Sequence, residues 1–199
     1  MSRGLGDVYK RQLTKKPNIS VITCMGNEAN NKCHYKGTVM SALVPDVMEI
    51  NVDGTGKGFT MEIWADSLDI LSVSIESPSG EYVPRIPARM GASMEYTFLY
   101  EGSTVTVDYQ ITENVAGMEV IFVRLKTPVE GTWKFYIYSL TNIKGSYNAW
   151  LPLKQFSGQD IYFLKSDPDT TLTVPAAADG VISVGACLLY TSPSPRDTR

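Results

Sequence analysis

The chain has 199 residues, of which 43% are hydrophobic and 20% are charged, and its formal net charge is -3. This balance is typical of a globular protein with a sizeable core and argues against an electrostatic nucleic-acid binder. The longest apolar runs fall well short of the roughly 18 residues that a membrane-spanning helix needs. We therefore expect neither a nucleic acid nor a membrane among its partners.

Both ends of the chain lack the patterns of the middle. Residues 1–12 show neither helical nor strand periodicity, and residues 188–199 form a basic tail rich in proline and serine. Both segments resemble translated sequencing-adapter sequence, so we interpret them as an artefactual leader and tail and set them aside. The biological segment is then expected to run from about Leu13 to about Ala186.

The segment 19–30 begins with a short apolar, β-branched run and ends in Gly26, Asn27 and Glu28. A run of this length, bounded by turn residues, predicts a buried strand of a parallel sheet. In α/β folds, the loops beyond the carboxyl ends of such strands form ligand and catalytic sites. Asn27 is therefore the first candidate functional residue. The alternative is a turn asparagine that follows Gly26 for backbone reasons alone.

The cysteines and the single histidine form no recognisable site. Cys24, Cys33 and Cys187 make neither a disulfide framework nor a CxxC metal motif, so we expect small buried residues or free thiols. Pairing of Cys24 with Cys33 stays open, because spacing does not fix the distance between their Cα atoms. His34 lies in the polar segment 30–37, and we interpret it as a surface or loop-packing residue rather than a general base. We expect no metal and no cofactor.

From Pro45 onwards, apolar and polar residues alternate with a period of two, which is the pattern of half-buried antiparallel strands. The glycine-rich segment 53–58 predicts a hairpin rather than a phosphate-binding loop, because no helix follows it. Short strands without helical periodicity predict a β-sandwich, and eight of them suggest a jelly roll. The eight predicted strands are 46–52, 59–65, 70–76, 94–100, 103–111, 118–125, 131–138 and 147–151.

Aromatic residues within these strands allow two interpretations. Trp133 is expected in the core of the sandwich, and a sugar-binding aromatic residue is the alternative. An exposed aromatic face would indicate a carbohydrate-binding module, although the period-two placement explains most of the tyrosines by packing. The tyrosines concerned are Tyr82, Tyr96, Tyr100, Tyr109, Tyr136, Tyr138 and Tyr147.

Residues 171–186 resemble the segment 19–30 in composition. Within them, residues 181–184 form a short apolar run between small residues, which again predicts a covered parallel strand. Because insertions are tolerated at exposed loops, the economical topology is a sandwich inserted into an α/β domain. The predicted fold class is an α/β parallel-sheet fragment interrupted by an inserted all-β jelly-roll sandwich. The predicted divisions are 1–12 (leader), 13–44 (core fragment), 45–155 (inserted sandwich), 156–187 (core fragment) and 188–199 (tail).

Two segments, in this order, resemble the subtilisin-like serine peptidases. Residues 21–30, Val-Ile-Thr-Cys-Met-Gly-Asn-Glu-Ala-Asn, are similar to the family's strand that ends in Ala-Gly-Asn-Glu-Gly. Residues 173–186, Thr-Val-Pro-Ala-Ala-Ala-Asp-Gly-Val-Ile-Ser-Val-Gly-Ala, are similar to its Pro-Ala…Val-Ile-(Thr/Ser)-Val-Gly-Ala segment. An inserted jelly roll is a feature of the bacterial, clostridial-type members related to the spore-germination proteases. The resemblance implies an internal fragment of a subtilisin-like serine endopeptidase, whose partner is a peptide or protein substrate.

The resemblance also implies roles for individual residues. Asn27 would be the oxyanion-hole asparagine, and Cys24, Met25 and Gly26 would edge the substrate pocket. Met25 and Ala29 differ from the family's usual alanine and glycine. The family's catalytic Asp, His-Gly-Thr and Gly-Thr-Ser-Met-Ala segments have no counterpart here, so the fragment alone is expected to be inactive.

The alternative function is a non-enzymatic β-sandwich module that binds carbohydrate or serves in adhesion. The sequence alone does not determine the localisation. The resemblance implies that the protein is secreted or associated with spores.

Overall fold

The computed structural model describes residues 12–54, 56–65, 69–89, 91–111, 118–141, 143–153, 160–173 and 176–185. The predicted tail, Cys187 and the predicted leader except Gln12 lie outside these residues. The chain divides into two compact units. We call Met1–Glu28 together with Thr171–Arg199 the split unit, and Ala29–Thr170 the sandwich unit.

The described residues form thirteen strands, with a 3-10 turn at Glu28–Asn31. In chain order the strands are β1 (Val21–Cys24), β2 (His34–Thr38), β3 (Asp46–Asp53), β4 (Gly58–Ala65), β5 (Leu71–Glu76), β6 (Tyr82–Ile86), β7 (Ser93–Thr97), β8 (Thr104–Ile111), β9 (Glu119–Lys126), β10 (Gly131–Ser139), β11 (Ser146–Trp150), β12 (Asp160–Phe163) and β13 (Val181–Val184). None of the described residues belongs to a helix that is long and apolar enough to span a membrane.

The predicted fold class was wrong. Of the residues that the structure describes, 51% are in strands and 5% in helices, and the larger sheets are antiparallel. An α/β parallel sheet needs crossover helices that cover its faces, and the described part of the chain contains none. The apolar runs did predict strands, but a strand's sequence does not specify whether helices or other strands will cover it.

In the split unit, β1 pairs in parallel with β13, from Val21 opposite Val181 to Cys24 opposite Val184. The two strands form a sheet of their own. The expectation that they are buried was wrong, because Ile22 is 67% exposed and Ile182 is 54% exposed. Two strands alone cannot bury both of their faces, and the described residues of this unit supply no further layer.

The sandwich unit consists of two antiparallel sheets around one hydrophobic core. The five-stranded sheet has the order β12-β3-β10-β5-β6, and the six-stranded sheet has the order β2-β11-β4-β9-β8-β7. The inward residues of both sheets, such as Ile50 and Ile63, join in one buried cluster. Burying each large apolar side chain contributes roughly 1.5–3 kcal/mol, so this core can hold the unit together.

The prediction for Trp133 is confirmed, since its side chain is fully buried in this core. Its indole N–H donates to the carbonyl of Val129 at 3.1 Å, and its ring meets Phe98 edge-on with the centroids 5.1 Å apart. A buried indole needs such a polar partner. The alternative role as a sugar-binding aromatic residue is therefore excluded.

All eight predicted strands of the sandwich are present within a few residues of their predicted ends, and β2, β6 and β12 join them. The predicted hairpin at 53–58 was wrong. β3 and β4 belong to different sheets, so this loop crosses from one sheet to the other. Gly58 has a φ of +118°, and a Cβ there would collide with the carbonyl oxygen of Leu125. The glycine therefore serves close backbone approach rather than a hairpin turn.

Candidate functional site

The end of β1 and the turn that follows it contain the four residues that the sequence singled out. Gly26 has a φ of +88°, a conformation that residues with a side chain seldom adopt. A Cβ at this position would lie 2.5 Å from Oγ1 of Thr173, so there is also no space for one. Both the backbone conformation and the packing therefore require glycine here.

Hydrogen bonds hold Met25, the residue before Gly26, at both its N–H and its carbonyl. The Met25 N–H donates to the carbonyl of Val184 at 3.1 Å, which extends the pairing of β1 with β13 by one residue. The Met25 carbonyl accepts two bonds from Thr173, one from its N–H at 3.2 Å and one from its hydroxyl at 3.3 Å. The two peptide groups that flank Met25 are thus each held by hydrogen bonds.

Asn27 follows directly on this turn and precedes the 3-10 turn at Glu28–Asn31. It is exposed, and its side-chain amide makes no hydrogen bond with any other residue that the structure describes. An amide N–H₂ is a neutral donor of two hydrogen bonds. Asn27 therefore offers a free donor at the carboxyl end of a strand, on a turn whose backbone is held in place.

The other predicted residues of the site lie beside Asn27 because they precede it in sequence. Cys24 is exposed and Cys33 is buried, and the two are not joined by a disulfide, so the pairing that the sequence left open does not occur. Met25 is half-buried, and its Sδ lies 3.0 Å from where a Cβ on Gly185 would be. No histidine belongs to the split unit, since the chain's one histidine lies in the sandwich unit.

His34 is fully buried in β2, so the expectation of a surface position was wrong. Its Nδ1 lies 3.0 Å from the carbonyl of Asp167, and its ring stacks on Trp150 with the centroids 4.9 Å apart. The Asp167 N–H donates in turn to the His34 carbonyl at 2.9 Å. These contacts fit the loop-packing role, and they leave the ring engaged in structural bonds.

Asp69 and Glu119 are two of the buried carboxylates of the sandwich unit, and neither was found from the sequence. Asp69 accepts bonds from the N–H groups of Ile143, Lys144 and Gly145 at 2.8–3.0 Å. Its burial alone would raise its pKa, but these donors outweigh burial and hold the pKa of Asp69 below its ordinary value. Asp69 therefore fixes the loop before β11 as a charged group.

Glu119 is the second of these carboxylates, and it is 4% exposed. Burial, which is the main cause, and the nearby charge of Asp69 raise the pKa of Glu119 to about 7. Its Oε2 accepts the Leu71 N–H at 2.8 Å, whereas its Oε1 has no partner. The alternation of β9 places Glu119 on the same face as the inward Ile121 and Val123, and this signal could have revealed it from the sequence.

The described residues contain no group of three or more His, Cys, Asp and Glu side chains that is arranged to hold a metal ion.

Three of the tyrosines cluster on the outer face of the five-stranded sheet. The hydroxyl of Tyr82 donates to Ser74 at 2.7 Å, and its ring meets that of Tyr136 with the centroids 5.9 Å apart. The guanidinium of Arg85 lies 4.7 Å from the ring centroid of Tyr138. The Tyr136 hydroxyl donates to Glu76, and this bond is the main cause that raises the pKa of Tyr136 to about 12. The polar groups of this cluster thus satisfy one another.

Comparison of the sequence with protein-family models and with curated proteins gives no match. Among solved structures, the CspB protease of Clostridium perfringens matches with a TM-score of 0.81 and 22% sequence identity. The match covers 95% of this chain and 39% of the protease chain, so this chain spans about two fifths of that protein's length. A likeness at this level of identity shows that the two share a fold.

The assignment to the subtilisin-like family, made from two short segments, was therefore wrong as stated. It required an α/β core on either side of the sandwich, and the described residues are nearly all β-sheet. Two segments of about a dozen residues each are too short to specify the layers that surround them.

Proposed function

We propose that the chain is a protease-related module of a longer serine-type endopeptidase, and that the side-chain amide of Asn27 serves as an oxyanion donor. The observation that carries this proposal is the exposed, unpaired amide of Asn27 on a turn held at Gly26. The fold that the chain shares with a clostridial protease supports the peptidase class.

The chemistry of peptide-bond hydrolysis by acyl transfer suits such a donor. Attack of a hydroxyl on the scissile carbonyl places a negative charge on the carbonyl oxygen, and an aimed N–H stabilises that charge without any proton transfer. In this proposal, Cys24, Met25 and Gly26 edge the pocket for the substrate residue. The nucleophile and its base come from elsewhere in the longer protein, so the chain alone is inactive.

The first test is to extend the reading frame in the source DNA and to assay the longer protein with a peptide substrate. Asn27→Ala should then lower kcat by roughly 10²–10³ while KM changes little, as expected for a contact made only in the transition state. Asn30→Ala is the matched control, because it makes the same chemical change at another exposed asparagine, in the turn Glu28–Asn31.

Two results would overturn the proposal. One is an extended reading frame without any segment that could supply a serine nucleophile and a histidine base. The other is an Asn27→Ala enzyme whose kcat is no lower than that of Asn30→Ala, which would leave Asn27 as a turn residue.

A carbohydrate-binding module is the second candidate, and the tyrosine cluster around Tyr82, Tyr136 and Tyr138 would be its surface. The hydroxyls of Tyr82 and Tyr136 already bond to Ser74 and Glu76 within the cluster. This arrangement offers few free polar groups to a sugar, so we rank the peptidase module first.

A further inference from the structure

We infer that Thr173 is a positioning residue for Asn27, because it fixes the peptide between Met25 and Gly26 and thereby sets the direction of the Asn27 amide. This inference rests on the proposed function and deepens it. Thr173 lies 146 positions after Asn27 in sequence, and the pairing of β1 with β13 brings its segment to the turn.

The need for such a residue follows from Gly26. A glycine changes the sign of φ at little cost, so the turn Met25–Asn27 could adopt several backbone conformations that point Asn27 in different directions. An oxyanion donor must be held in one of them, since catalysis depends on donors that are aimed in advance. Something outside the glycine must therefore hold its φ near the observed +88°.

Thr173 holds the peptide through its main chain and its side chain together. Its N–H and its hydroxyl both donate to the Met25 carbonyl, at 3.2 and 3.3 Å, so a rotation of that carbonyl would break two bonds at once. On the other side of the same residue, the Met25 N–H is bound to Val184. The peptide group before Met25 is thus held through its N–H, and the peptide group between Met25 and Gly26 is held through its carbonyl.

The side chain of Thr173 also occupies the space over Gly26. A Cβ on Gly26 would lie 2.5 Å from Oγ1 and 2.8 Å from Cγ2 of Thr173, so both branches of the threonine face the glycine. A serine keeps the hydroxyl and loses the methyl group, whereas a valine keeps the shape and loses the donor. These two substitutions separate the hydrogen bond from the packing.

Thr173 is itself fixed to the two-stranded sheet. The Ala176 N–H donates to the Thr173 carbonyl at 2.8 Å, and the Ser183 hydroxyl donates to the Ala176 carbonyl at 2.8 Å. Ser183 belongs to β13, which pairs with β1. A continuous series of hydrogen bonds therefore runs from β13 to Thr173 and from Thr173 to the turn.

The first experiment needs no catalytic activity and uses the 199-residue chain. NMR on the wild type, Thr173→Val, Thr173→Ser and the control Thr106→Val would follow the Asn27 side-chain N–H₂ signals and the exchange of the Gly26 and Asn27 backbone amides. Thr106→Val removes a hydroxyl from β8 in the sandwich unit. We expect Thr173→Val alone to shift the Asn27 signals and to speed exchange at this turn, by roughly tenfold, with the amides of β1 unchanged.

The second experiment measures kinetics in the longer peptidase. Thr173→Val should lower kcat by about tenfold with KM nearly unchanged, because a small misplacement of a donor acts on the transition state. Thr173→Ser keeps the hydroxyl and should therefore keep most of the wild-type kcat. Full activity of Thr173→Val in an enzyme that Asn27→Ala disables would overturn the positioning role.

The two proposals fail in different ways. If Asn27→Ala leaves kcat unchanged, the proposed function is wrong, and the NMR comparison still decides whether Thr173 fixes the turn. If the Asn27 signals and the exchange rates are the same in Thr173→Val and in the wild type, the inference about Thr173 is wrong whatever the kinetics of Asn27.

Discussion

The sandwich unit and the split unit use the same kinds of residues with opposite outcomes. Ile50 and Ile63 of the sandwich are fully buried, whereas Ile22 and Ile182 of the split unit are 67% and 54% exposed. All four lie in short strands with β-branched residues. β-Branched residues in a short run therefore specify a strand, whereas their burial depends on which other layers the chain supplies.

The comparison also separates stability from the candidate site. The sandwich holds the shared hydrophobic core, and the split unit holds the turn with Gly26 and Asn27. Regions with few buried apolar contacts open more easily than cores do. This explains why the turn depends on specific hydrogen bonds from Thr173 rather than on bulk packing.

The largest effect is expected in the sandwich core, where Trp133→Ala should lower the free energy of unfolding by about 3–5 kcal/mol. The substitution removes the fully buried indole between the sheets, its contact with Phe98 and its bond to Val129. Urea denaturation followed by circular dichroism would measure it.

Trp64→Ala is the matched control for this change. Trp64 lies on the outer face of β4, is half-buried and bonds to Glu62 at 3.1 Å. A loss of stability for Trp133→Ala no greater than that for Trp64→Ala would contradict the assignment of the core.

The inward faces of the sandwich could be predicted from the sequence because alternation records burial directly. β2 escaped prediction because its inward Gly37 is small and its buried His34 is polar, which hides the alternation. Gly37 lacks a side chain because a Cβ there would collide with the Tyr147 ring. Such a contact between distant residues cannot be seen in a local pattern.

The candidate site shows the same limit. Gly26 and Asn27 could be picked out because a turn must follow an apolar run that ends abruptly. Thr173 could not, since its role depends on a parallel pairing across most of the chain. The α/β expectation failed for a related reason: the runs at 21–24 and 181–184 predict strands but carry no information on crossover helices.

After that of Trp133→Ala, the second-largest effect is expected in the pH dependence of the stability of the sandwich unit. In the folded protein, the pKa of Glu119 is raised from 4.5 to about 7. The stability that its neutral form contributes is therefore fully present below about pH 4.5 and is lost as the pH rises through about 7. Glu119→Gln should remove this loss and make the protein more stable than the wild type at pH 8, by about 1–3 kcal/mol. Denaturation midpoints at pH 4.5, 6, 7 and 8 would measure the effect.

Glu95→Gln controls for the change of net charge, because Glu95 lies on the surface and pairs with Lys126 at 3.9 Å. We expect its pH profile to follow that of the wild type, since exposed ion pairs contribute little. A Glu119→Gln variant that keeps the wild-type fall in stability between pH 4.5 and 8 would show that another group causes it.

The smallest effect on stability is expected on the exposed face of β1 and β13. Ile22→Thr should change the free energy of unfolding by less than about 0.5 kcal/mol, because Ile22 is already 67% exposed and threonine keeps the preference for strands. Ile63→Thr, on the fully buried side of β4, makes the same substitution and should cost several times more.

Ile22→Thr also tests whether the exposed face of β1 and β13 associates with other copies in solution. Ile22, Ile182 and Val184 form an apolar face on a sheet of only two described strands, so its edges and its face can pair with other copies at high concentration. Ile22→Thr should reduce concentration-dependent association in analytical ultracentrifugation, whereas Thr60→Val on the outer face of β4 should leave it unchanged. If Ile22→Thr destabilised the chain as much as Ile63→Thr, the face of β1 would have to be counted as core, and the contrast between the two units would not hold.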